Sequence, residues 1–73
     1  MTEKQLLKKL GLRIKQLRTD KNLSQRELGD EIDVEKSNIS RIESGKFNTR
    51  ILTLHKVAKA LDLTLPELLK IEN

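Results

Sequence analysis

Cysteine is absent from the 73 residues, histidine and proline occur once each, and glycine occurs three times. Without cysteine there is neither a disulfide framework nor a thiolate metal site. His55 alone cannot build a histidine-based zinc site or a paired proton shuttle, so no metal site is expected. No apolar run exceeds two residues, so nothing is expected to span a membrane. The opening Met1-Thr2-Glu3-Lys4-Gln5 lacks the apolar core of a signal peptide, and a cytoplasmic protein is the expectation. No Ser-His-Asp set, metal cluster or phosphate loop can be assembled from these residues, so neither an enzyme nor a cofactor is expected.

What is present points to one small domain over residues 1–73. Apolar residues make up 36% of the chain, too many for a disordered tail. A chain this short buries a single thin core, with no room for a catalytic cleft closed by a second domain. The net charge of +4 is unevenly spread. Residues 1–26 carry +6, residues 27–35 carry −5 with no base, residues 36–59 carry +5 and the remainder −2. Folding back could bring the two basic segments to one face, and a basic face attracts polyanions, most commonly nucleic acid.

The apolar spacing predicts five short helices and no strand. Thr2 and Gln5 form a capping box before Leu6, Leu7, Leu10, Ile14 and Leu17, and Asn22 is a stop. Ser24 to Glu27 is a second box, followed by Leu28 and Ile32. Ile39 and Ile42 mark a third helix ending at Ser44-Gly45, where glycine suits a left-handed residue. Leu54, Val57, Ala58 and Leu61 form a fourth face. Thr64 to Glu67 is a third box, with Pro66 tolerated in the first turn and Leu68 and Leu69 following.

Only about three residues separate the second helix from the third, a tight turn that forces a large angle between them. Counting from Gln25, Leu28, Ile32, Val34, Ile39 and Ile42 supply the shared core at positions four, eight, ten, fifteen and eighteen. Gly29, at position five, has no side chain to hold the helices apart. This is a helix-turn-helix pattern. Residues 10–69 closely resemble the phage repressor and Cro family, the XRE type of helix-turn-helix protein. The resemblance is carried by Leu10-Gly11-Leu12-Arg13-Ile14, Leu17-Arg18, Leu23-Ser24-Gln25-Arg26-Glu27-Leu28 and Ile39-Ser40-Arg41-Ile42-Glu43-Ser44-Gly45-Lys46. Thr53-Leu54, Val57-Ala58-Lys59-Ala60-Leu61 and Glu67-Leu68-Leu69 extend it.

The resemblance implies an all-α, five-helix, repressor-like domain binding double-stranded DNA, with the helix from about Lys36 to Ser44 in the major groove. Lys36, Ser37, Asn38 and Arg41 are expected to face away from Ile39 and Ile42. Lys36 or Arg41 could donate to guanine O6 and N7, Asn38 could pair with adenine, and Ser37 could serve several bases. Gln25 would hold a phosphate from the first turn of the second helix. Lys46, Asn48, Thr49 and Arg50 would grip phosphates from the following loop, with Arg13 and Arg26 as further candidates. The resemblance makes Arg18 and Glu43 a structural ion pair rather than DNA readers. His55 is expected to be plain surface.

Two positions depart from the family pattern. Asp33 stands where glycine is usual in a left-handed turn. Glu35 stands where a Ser or Thr cap is usual, and it would repel a nearby phosphate. The acidic run Asp30-Glu31-Asp33-Glu35 hints at a protein partner for that edge. A homodimer is expected, with Leu52, Leu65 and Ile71 as a small apolar patch. The resulting function is a transcriptional regulator, a repressor acting at a near-palindromic operator. The alternative keeps the fold as a protein-interaction module or as the antitoxin of a toxin pair.

Overall fold

The computed structural model describes residues 1–72; Asn73, the last residue of the expected domain, lies outside the described residues. Five helices follow one another: α1 (Glu3–Asp20), α2 (Gln25–Ile32), α3 (Lys36–Glu43), α4 (Ile51–Ala60) and α5 (Leu65–Leu68). All three expected capping boxes form. Thr2, Ser24 and Thr64 each accept from the N–H three residues on, and the Gln or Glu there returns the bond. The Ser24 N–H, then its hydroxyl, hold the Glu27 carboxyl below its ordinary value. Thr64 acts on Glu67 in the same way.

Helix ends repeat one device. Asn22, Asp33 and Asp62 adopt the left-handed conformation, with φ of 58°, 59° and 60°. The next N–H reaches back five residues each time: Leu23 to Arg18, Val34 to Gly29, and Leu63 to Ala58. Leu23, Val34 and Leu63 then tuck against the core, so each turn staples its helix down. The short side chains of Asn and Asp tolerate this conformation, which is how Asp33 replaces the usual glycine. Gly45 closes α3 at φ 75°, and a Cβ there would also strike Lys8 of α1.

The core draws Leu10 and Ile14 from α1, Leu28 and Ile32 from α2, Ile39 and Ile42 from α3, and Leu54, Val57 and Ala58 from α4. Leu61 and Leu68 complete it. Burying one such aliphatic side chain stabilises the fold by about 1.5–3 kcal/mol. The expected α1 stripe is wider than the buried one, because Leu6 lies at the free start of the helix and stays 43% exposed. Leu69 likewise faces outward while Leu68 is fully buried.

Between α2 and α3 the backbones nearly touch. A Cβ on Gly29 would collide with the carbonyl oxygen of Val34, so the turn requires a residue without one.

Candidate nucleic-acid interface

Helix α3 is half inside and half outside. Ile39, Ile42 and Glu43 are buried, while Lys36, Ser37, Ser40, Arg41 and Ser44 are exposed along the opposite side. Neither Lys36 nor Arg41 is engaged in a side-chain hydrogen bond or ion pair among the described residues. The Ser37 hydroxyl makes one long contact, 3.5 Å, to the Glu35 carboxylate. Asn38 departs from the expected position: it sits on the flank of α3, half-buried. There it lines a groove with Val34, Ile42, Phe47, Thr49, Arg50 and Thr53. Helical geometry explains this, since residue 38 lies only one position from Ile39 and four from Ile42. Ser40 and Ser44, absent from the expected set, share the outer face.

Behind α3 a buried network fixes its orientation. Arg18 is 7% and Glu43 5% exposed. Arg18 Nε donates to Glu43 Oε2 at 2.6 Å and Nη2 donates to Oε1 at 2.9 Å, a two-pronged pairing. The third donor, Nη1, reaches the Leu23 carbonyl at 2.6 Å. The hydrogen bond to Glu43 raises the Arg18 pKa above its ordinary value. Gln25 joins the network, its Nε2 donating to Glu43 Oε1 at 3.1 Å. The Glu43 carboxylate at the end of α3 therefore ties the end of α1 to the start of α2, while Arg18 holds the turn between them through the Leu23 carbonyl. Gly11 permits this approach, because a Cβ there would strike the Glu43 backbone carbonyl.

These contacts alter how Gln25 can meet a phosphate. Its side-chain amide N–H group points at Glu43, and the capping box engages the N–H groups of Ser24 and Glu27. The N–H groups of Gln25 and Arg26 have no acceptor among the described residues and remain for one outside at the helix start. Arg26 itself is exposed.

Lys46, Asn48 and Arg50 are exposed in the segment joining α3 to α4, with Thr49 half-buried. Arg13 is placed elsewhere. Its Nε donates to the Leu68 carbonyl at 2.8 Å and its Nη2 to the Glu67 carbonyl at 2.7 Å, closing the open end of α5. Lys9 Nζ holds the Glu72 carbonyl at 3.0 Å. Both cations thus strap the C-terminal residues onto α1. Sequence spacing offered no signal for that, since the partners are backbone carbonyls more than fifty positions away.

The four carboxylates of Asp30, Glu31, Asp33 and Glu35 are exposed around the α2–α3 turn. Leu52 is 70% exposed beside an exposed Ile51, whereas Leu65 and Ile71 are half-buried and packed on the core. Of the expected apolar patch, then, Leu52 is the outward member. His55 is exposed. No helix among the described residues is long and apolar enough to cross a membrane.

A family model described as helix-turn-helix matches residues 14–68. The chain is 38% identical over 61 residues to control protein C.MunI of Mycoplasma sp., covering 82% of either chain. It superposes with a TM-score of 0.82 and 37% identity on the restriction-modification controller protein C.AhdI from Aeromonas hydrophila. That match covers 85% of this chain and 94% of the other. A further match is SinR, the master regulator for biofilm formation, solved in complex with DNA. There the TM-score is 0.76 at 40% identity, over 84% of this chain and 98% of that one.

Proposed function

The chain belongs to the XRE-type helix-turn-helix family, and from that premise we propose a DNA-binding transcriptional regulator that reads its operator with α3. The observation that carries this reading is the outer face of α3. Two cations and three hydroxyls project there, the cations free of side-chain partners among the described residues, on a helix anchored from behind by Glu43. Lys36 and Arg41 donate to guanine, Ser37 adapts to several bases, and Asn38 reads adenine from the flank. Phosphates are held by the N–H groups of Gln25 and Arg26, by the Arg26 side chain, and by Lys46, Asn48, Thr49 and Arg50.

One reading helix covers one half-site. A homodimer places two of them about 34 Å apart on a near-palindrome, joined at a surface that includes Leu52. Occupancy of the operator then excludes polymerase, and the protein acts by binding rather than by catalysis. The control protein C.MunI and the restriction-modification controller protein C.AhdI offer a functional analogy. The exposed acidic edge at Asp30, Glu31, Asp33 and Glu35 favours a second reading, in which a basic protein partner docks there.

Selection of bound sequences from random duplex DNA at about 0.15 M salt separates the two. The first reading expects an enriched near-palindrome. Absence of any enrichment overturns it in favour of the protein-binding module.

A further inference from the structure

Phe47 is the one aromatic residue of the sequence. It lies between α3 and α4 and remains 38% exposed, outside both the buried core and the apolar side chains packed against it. Aromatic rings contribute most to a fold when fully buried, so a ring left open here forfeits part of that stabilisation. Its neighbours in sequence, Lys46 and Asn48, are exposed and polar, and Arg50 follows closely. Phe47 lines a groove with Val34, Asn38, Ile42 and Arg50, on the flank of α3. An apolar ring thus lies between two exposed cations in the sequence and shares a groove with one of them, Arg50, and with Asn38.

The occupant of that groove has to be apolar at the point of contact and polyanionic around it. Duplex DNA meets both conditions at one group: in the major groove the apolar feature of a base edge is the thymine C5-methyl. We infer that Phe47 is a specificity-determining residue whose ring packs on a thymine methyl next to the base read by Asn38. The inference rests on the assignment of α3 as the reading helix and adds a contact that hydrogen-bond donors cannot make. Discrimination here is between thymine and cytosine or uracil, through one methyl group.

The test uses the whole protein and the duplex recovered by selection, with each thymine replaced singly by deoxyuridine. Wild-type affinity is expected to fall about fourfold at one thymine per half-site, the effect of leaving one methyl unburied. In Phe47→Ala the same replacement should change affinity by less than about 1.5-fold. Phe47→Leu should keep part of the sensitivity, and Phe47→Gln should lose it; these cover the case in which alanine disturbs the loop. Thermal midpoints recorded alongside separate loss of contact from loss of fold.

If every thymine in the enriched site can lose its methyl without effect on the wild type, the inference is wrong while DNA reading stands. Equal sensitivity in the wild type and Phe47→Ala contradicts it as well. If no sequence is enriched at all, the reading-helix assignment fails and the inference falls with it.

Discussion

Helices α2 and α3 are both eight residues long and lie against each other, yet they close their ends in opposite ways. Ser24 and Glu27 satisfy the start of α2 with a capping box, and Val34 staples its end into the core. At the start of α3, Glu35 provides no side-chain cap. Its end repeats the five-residue return bond, Lys46 N–H to the Arg41 carbonyl at 3.3 Å, but an exposed cation replaces the apolar staple. Helix α2 closes the Glu27 N–H on the Ser24 side chain and its end on Val34, leaving the Gln25 and Arg26 N–H groups open at its start. Helix α3 is held from behind by Glu43, closes its Asn38 N–H on the Glu35 carbonyl at 2.9 Å, and leaves the Lys36 and Ser37 N–H groups and its outer face without partners among the described residues. The difference is the one that the proposed division into a supporting and a reading helix requires.

The largest effect should come from the network on which both helices depend. Arg18→Met leaves the Glu43 carboxylate buried without its main partner, and loss of about 3–5 kcal/mol is expected in urea denaturation. The double variant Arg18→Met, Glu43→Leu should recover much of that, because no charge is then left unpaired. Next in size is Gly29→Ala, which drives a methyl into the Val34 carbonyl between the helices. Overpacking of this kind costs about 1–3 kcal/mol, read as a lower urea midpoint.

Smaller effects should distinguish the two helix starts. Ser24→Ala removes a cap and should destabilise by about 1 kcal/mol. Glu35→Ser supplies one and should stabilise by roughly 0.5–1 kcal/mol. By removing a carboxylate from the α2–α3 turn, it should also tighten DNA binding. The smallest effect is one of pH. The folded Glu27 carboxyl lies below its ordinary value of 4.5, so its contribution is present above that pH and lost as acidification proceeds through the folded value. Thermal midpoints of wild type and Glu27→Gln should therefore differ at neutral pH and converge in acid.

Much of the scaffold was legible in the sequence because it rests on local chemistry. Capping boxes need residues three apart, and the apolar spacing of α2, α3 and α4 returns once per helical turn. The left-handed position of Asp33 came from the family resemblance, and its short side chain tolerates it. Contacts that depend on distant backbone were not legible. Arg13 was expected among the phosphate-gripping candidates, whereas it closes α5. Gln25 bonds across to α3, which its own helix does not reveal. Asn38 was expected on the face opposite Ile39 and Ile42, while the helical period puts it on the flank. Leu65 and Ile71 pack inward because the strapped C-terminal residues carry them over the core.

The central claim is that α3 is supported by the fold but does not itself support it with its outer face. Arg41→Ala tests that most directly, with urea denaturation and DNA binding measured on one preparation. The account predicts a stability change within about 0.5 kcal/mol. Binding to the selected duplex should weaken by about 10- to 100-fold, with relaxed preference at one base pair of the half-site. Unchanged binding and preference, or a loss of binding that merely follows a loss of stability, would contradict it.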